Sequence, residues 1–180
     1  MTQPPHEAAI AGVTVTPDFI SNHAEVYDWC VANVPWDDRI AARKTATCGV
    51  PYNYAGLDYA RSPFPPLIEA VRARIAAVIG FDANNCLLNW YPDGRSRMGF
   101  HADSAAGLAP GSGVAIVSLG APRTLRFRRT VSPDERLDYP LVPGELLFME
   151  KRVQDEWQHA VPRNSKPLGR ISLTFRIVQE

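Results

Sequence analysis

Two periodicities divide the chain near Gly80. Before it, apolar residues recur at helical spacing: Tyr27, Cys30, Val31 and Val34 in one stretch, Leu67, Val71, Ile75, Val78 and Ile79 in another. Positions three and four apart share a helix face, so each stretch predicts an amphipathic helix. Ser21 or Asn22 can cap the first, Glu25 suits its positive opening turn, and Pro35 lies just past its end. The second opens from the breaker-rich Ser62-Pro-Phe-Pro-Pro66 and stops at Gly80.

After Gly80 the pattern becomes strand-like. Runs at Cys86–Tyr91, Val114–Leu119, Leu125–Arg128, Glu145–Met149, Trp157–Val161 and Ile171–Val178 are separated by clusters of Gly, Pro, Asp and Ser. Val13–Val15 and Tyr52–Tyr54 read as short strands in the first half. Two helices followed by many strands, with no helix expected between them, indicate an α+β fold with an antiparallel core. A double-stranded β-helix (jelly roll) with two supporting helices in the N-terminal half is the natural container, because its facing sheets bring distant residues to one mouth. Residues 1–12 read as a flexible N-terminus and 13–180 as a single domain.

The last run carries the sharpest alternation. Arg170, Ser172, Thr174 and Arg176 fall on one face; Ile171, Leu173 and Phe175 fall on the other. The two arginine Cα atoms would stand about 20 Å apart, so guanidiniums leaning inward could grip both ends of a small dicarboxylate. A wet-faced amphipathic strand is the plainer alternative, but it leaves arginine at both ends unexplained. Asn89 and Tyr91, two apart, add an amide and a phenol. His101 and Asp103 also share a face if extended. An imidazole and a carboxylate with one aim are two of the three ligands in the two-His-one-carboxylate site of non-heme Fe(II). Taken alone, the pair is more simply a turn whose side chains bond to backbone. His159, one of only four histidines, would be the remote third ligand; its plain alternative is a histidine making one hydrogen bond.

Composition narrows the classes. The 180 residues carry a formal charge of zero, which gives no electrostatic case for wrapping a long polyanion. Cys30, Cys48 and Cys86 are odd in number and scattered, which argues against a disulfide framework or a zinc site and fits a reducing compartment. The N-terminus lacks the features of a signal peptide and no run is long enough to span a bilayer. A cytoplasmic monomer with no membrane partner is expected.

From Arg43 to Arg176 the chain resembles the AlkB family of Fe(II)- and 2-oxoglutarate-dependent dioxygenases. The agreeing pieces are Tyr52-Asn-Tyr54-Ala-Gly56, Asn89-Trp-Tyr91-Pro-Asp-Gly94, His101-Ala-Asp103, Leu108-Ala-Pro-Gly-Ser112, Trp157-Gln-His159 and Arg170-Ile-Ser-Leu-Thr-Phe-Arg176. The resemblance implies His101, Asp103 and His159 as iron ligands, Arg170 on the distal carboxylate of 2-oxoglutarate, and Arg176 near its metal-side carboxylate and Asp103. Asn89 and Tyr91 would bond the cosubstrate, and Ser172 and Thr174 would share its pocket. Iron would leave room for the 2-oxo acid and O₂, whose reaction yields succinate, CO₂ and an oxidant for a C–H bond.

The substrate side departs from the pattern. In AlkB-type repair enzymes acidic residues follow the His-x-Asp pair; here Ser104 and Ala105 stand there, with Phe100 and the basic Arg95-Ser96-Arg97 just before it. Methylated adenine or cytosine is cationic, and a pocket for it should keep anions nearby. Two substrates stay open. One is an alkylated base in nucleic acid, with Tyr54 stacking, Tyr52 beside it, and Arg43, Lys44, Arg126 and Arg128 on phosphates. The other is an anionic small molecule, such as a nucleotide or phosphorylated nucleoside, met by Arg95 and Arg97. For Tyr52 and Tyr54 the plainer reading is a half-buried strand; for the arginines it is a solvated surface.

Overall fold

The computed structural model describes residues 10–103, 108–109 and 111–179. The first half runs β1 (Val13–Thr16), α1 (His23–Asn33), β2 (Lys44–Gly49), β3 (Tyr52–Tyr54), β4 (Leu57–Tyr59) and α2 (Pro66–Ile79). Then come β5 (Asn85–Tyr91), β6 (Met98–His101), β7 (Gly113–Gly120), β8 (Arg123–Arg129) and β9 (Arg136–Leu141). The chain closes with β10 (Leu146–Glu150), α3 (Lys151–Glu156), β11 (Trp157–Val161) and β12 (Arg170–Arg176). One antiparallel sheet has the order β1-β10-β7-β12-β5-β2; a second has β6-β11-β8-β9, and β3 pairs with β4 in a small hairpin.

Strand alternation sorts the larger sheet into two cores. Ile171, Leu173 and Phe175 of β12, Ala115, Val117 and Leu119 of β7 and Cys86 and Leu88 of β5 meet Val26 and Cys30 of α1 and Ile68, Val71 and Ile75 of α2. Burying that apolar face removes it from water at about 25 cal/mol per Å². The opposite face, with Val114, Ile116, Leu147 and Met149, packs on Leu125, Phe127, Tyr139, Leu141, Trp157 and Val161 of the smaller sheet. The two sheets therefore form the double layer of a jelly roll, with both long helices on one outer face.

The local signals act as physics requires. Pro66 opens α2 with its fixed φ, and Gly80 ends it in the left-handed region at φ 68°, where the Ala76 carbonyl accepts its N–H. In α1 the Asn22 side chain bonds Glu25 rather than a backbone N–H, so the expected side-chain cap is not made. Three other expectations change, and one alternative falls away. Val78 is 54% exposed, because Ile68, one position on from Leu67, sets the buried stripe with Val71 and Ile75. A short helix, α3, interrupts the strands; its six residues are too few to show a period. Packing begins before Val13, since Ile10 is buried and its N–H donates to the Tyr139 hydroxyl at 2.9 Å. Finally, no face of β12 is wet: all seven of its residues are buried.

Candidate active site

Pairing of β11 with β6 creates the centre of the site. His159 and His101 are direct cross-strand partners, with ring centroids 4.3 Å apart. Asp103 follows His101 by two residues, and its backbone N–H donates to the Gln154 side chain of α3 at 2.8 Å, anchoring the backbone that carries the carboxylate. One ligand atom from each of His101, Asp103 and His159 lies within 4.8 Å of the others. The His101 Nδ1 sits 3.0 Å from the Gly99 carbonyl. A carbonyl only accepts, so this contact places the proton on Nδ1 and leaves Nε2 for a ligand.

Burial and charge set the ionisation of the centre. Burial alone would raise the Asp103 carboxyl, but the Arg176 guanidinium and then the two imidazoles outweigh it and hold the group at about 2. For His159, burial and neighbouring His101 outweigh the opposing pull of Asp103 and push the imidazole down to about 3. Both groups therefore stand in their metal-binding forms at neutral pH. Arg176 donates to Asp103 Oδ1 at 2.5 Å, whereas Asp103 Oδ2 is buried with no hydrogen-bond partner among the described residues. A divalent cation among the three side chains would satisfy that orphan acceptor. The donor set of two imidazoles and one carboxylate fits Fe(II).

Beside the triad, the polar positions of β12 face inward between the sheets. Arg170, Ser172, Thr174 and Arg176 line a cavity with Asn89, Tyr91 and Met98. Register explains the grouping: across β12, Ser172 lies between Asn89 of β5 and Ser118 of β7. Arg170 donates to the Ser118 hydroxyl from Nε at 3.2 Å and Nη2 at 2.9 Å. Burial lowers its guanidinium from the ordinary value to about 10, and no carboxylate among the described residues pairs with it. The cavity measures only 20 Å³, and the Met98 sulfur lies 3.7 Å from the hydroxyls of both Tyr54 and Tyr91. A flexible thioether at that point can yield to a larger occupant.

A wider groove of 590 Å³ opens on the triad, walled by Tyr52, Tyr54, His101, Asp103, Leu108 and Val178. The Tyr52 and Tyr54 rings are stacked at 6.3 Å with an 18° interplanar angle. The basic residues lie elsewhere than expected. Arg43 turns inward, donating to the Asn89 side-chain oxygen at 2.9 Å and to the Tyr54 hydroxyl. Lys44 sits over the Trp90 ring and Arg126 pairs with Asp138. Arg128 covers Phe100 and bonds Gln158. Arg95 is held by Asp93, and Arg97 is exposed. Phosphate capture by Arg43, Lys44, Arg126 or Arg128 thus lacks a free guanidinium or ammonium aimed at the groove, because each already has a partner. The expectation attached to Ser104 and Ala105 lies outside the described residues.

Sequence reasoning missed Ser118, Gln154 and Met98. Ser118 falls on the inward parity of β7, the one polar residue in Val114–Leu119, and that break was its signal. Gln154 acts across a tertiary contact that no local pattern announces. A jelly roll with this triad at its mouth is the architecture of a non-heme iron oxygenase. Residues 14–176 match the family described as the 2OG-Fe(II) oxygenase superfamily. The human DNA oxidative demethylase ALKBH2 is 39% identical over 145 residues, covering 74% of this chain and 56% of that protein. The human alpha-ketoglutarate-dependent dioxygenase alkB homolog 3 is 30% identical over 195 residues, covering 94% of this chain and 67% of that protein. The solved structure of OsALKBH1 superimposes with a TM-score of 0.67 at 16% identity, covering 92% of this chain and 97% of that one, a likeness of fold. The chain belongs to the AlkB family of the 2OG-Fe(II) oxygenase superfamily, whose members use Fe(II), 2-oxoglutarate and O₂. It spans little more than half the length of the ALKBH2 relatives.

Proposed function

We propose that this chain is a dioxygenase that oxidatively dealkylates a nucleobase in nucleic acid. The observation that carries the reading is the groove: two parallel tyrosine rings wall a slot that ends at His101 and Asp103. A flat base extruded from its strand can stack there with its alkyl group aimed at the triad. The relatives named as a DNA oxidative demethylase and an alkB homolog support that substrate class.

In this reading His101, Asp103 and His159 hold Fe(II), which with 2-oxoglutarate and O₂ supplies the oxidant for the C–H bond. Arg170 grips the distal carboxylate, with Ser118 aligning its guanidinium. Ser172 and Thr174 flank the cosubstrate, and Asn89 and Tyr91 donate hydrogen bonds to it. Arg176 keeps Asp103 ionised and oriented. Met98, Leu87 and Leu125 keep water out of the cavity they line. The chain from Ile10 onward acts as one domain, working as a monomer in the cytoplasm; the three unpaired cysteines suit a reducing compartment.

The alternative, an anionic small molecule met by Arg95 and Arg97, gains little from the structure, since both side chains are exposed and neither is among the residues lining the groove. One substrate panel separates the two: methylated single- and double-stranded DNA, methylated RNA, and free nucleotides, with demethylated product and succinate both measured. Demethylation of a polynucleotide, weakened by salt, is the expected result. Turnover of a free nucleotide alone, flat in salt, would overturn the nucleic-acid reading.

A further inference from the structure

Asn89 faces the cosubstrate cavity with an amide that has two chemically opposite ends. Its nitrogen can donate to a carboxylate or keto oxygen; its oxygen would repel one. Which end faces inward therefore decides whether the residue helps or hinders binding of 2-oxoglutarate. Asn89 is buried at 3% exposure, and among the described residues its side-chain hydrogen bond is to Arg43, outside its own strand. The side-chain oxygen accepts from Arg43 Nε at 2.9 Å, while the amide nitrogen bonds no other described residue. Arg43 is a pure donor, so it can pair only with the oxygen. That contact leaves the nitrogen for the cavity.

Arg43 is itself held. It stands just ahead of β2, half-buried, and its Nη2 donates to the Tyr54 hydroxyl while its Cζ lies 5.5 Å from the Tyr54 ring centroid. The planar fork thus has one arm on the groove wall and the other on the cosubstrate cavity. A lysine has one compact head and cannot reproduce both contacts with fixed geometry.

We propose that Arg43 is a positioning residue for the cosubstrate: it locks the Asn89 amide with its nitrogen toward 2-oxoglutarate and acts through that amide rather than through its own charge. The idea rests on the proposed site, and the test separates the two. Binding of 2-oxoglutarate is measured by calorimetry on protein loaded with Mn(II), for wild type, Arg43→Ala, Arg43→Lys, Asn89→Ala and the double variants; melting curves confirm that each is folded. Arg43→Ala and Arg43→Lys are each expected to weaken binding about tenfold, the scale of one lost hydrogen bond. In the Asn89→Ala background neither substitution should weaken it further, because the amide through which Arg43 acts is gone. If Arg43→Ala does not fold, Arg43→Lys with and without Asn89→Ala carries the same comparison. Wild-type affinity in Arg43→Lys would overturn the proposal in favour of a charge effect. So would a further loss on adding either substitution to Asn89→Ala. Failure of wild type to bind 2-oxoglutarate would instead overturn the site assignment.

Discussion

Replacing Arg170 with methionine should separate stability from cosubstrate binding. Arg170 is among the largest fully buried side chains; among the described residues its side chain hydrogen-bonds the neutral hydroxyl of Ser118 and lies 5.5 Å from the Tyr91 ring centroid. Burial lowers the guanidinium to about 10, which corresponds to ~3 kcal/mol against the charged form at neutral pH. Because the folded-state value is depressed for a base, this cost is fully present below pH 10 and is relieved only as pH rises beyond it. Methionine has a similar length and no charge to desolvate. Even after the lost Ser118 bonds, Arg170→Met should leave the cosubstrate-free protein as stable as wild type or about 1–3 kcal/mol more stable. The same change removes the grip on the distal carboxylate, and ~2–4 kcal/mol of lost pairing weakens 2-oxoglutarate binding by a factor of roughly 30 to 1,000. Chemical denaturation and calorimetry on metal-loaded protein measure the two effects. A variant that is strongly destabilised while keeping its affinity would refute the reasoning on both counts.

Other substitutions probe the same physics. Asp103→Ala leaves the buried Arg176 guanidinium uncompensated, and the metal-free protein should lose about 3–5 kcal/mol of stability as well as its metal affinity; denaturation and metal titration read the two. The depressed His159 imidazole, about 3 when folded, makes stability of the metal-free protein fall as pH drops from about 6.5 toward 3. His159→Gln should flatten that slope in pH-dependent melts. Gly120→Ala should cost more than ~2 kcal/mol, since φ is +78° and a Cβ would lie 2.6 Å from both the Gly169 carbonyl and the Tyr27 ring. At saturating 2-oxoglutarate, which offsets the loss of the Tyr54 contact to Arg43, Tyr54→Ala should reduce turnover of a methylated oligonucleotide far more than succinate formation without substrate, as product assays of both would show.

Legibility followed the range of each signal. The helices announced themselves through spacing over eleven and fourteen residues, aided by Pro66 and Gly80. Strong apolar runs announced β5 and β7, and strict alternation announced β12. By contrast β9, Arg136–Leu141, carries a proline and alternates charged residues, so its strand state rests on pairing with β8. The short β6, which carries His101, likewise gains its form from β11. The polar face of β12 was legible as a pattern, but its burial was not. Whether such a face meets solvent or a cavity depends on the second sheet, which no local spacing encodes. The same limit applied to Arg43. Its charge suggested an outward phosphate contact, while its inward geometry depends on Tyr54, eleven residues away, and Asn89, forty-six away.

Everything about the chemistry turns on whether His101, Asp103 and His159 share one ion. Anomalous diffraction at the iron edge, from crystals grown without oxygen in Fe(II) and 2-oxoglutarate, addresses that directly. A single peak bonded to both imidazoles and to the Asp103 carboxylate, with the 2-oxo acid extending toward Arg170, is the expected result. Iron bound elsewhere, or at this place with His159 turned away from it, would contradict the assignment.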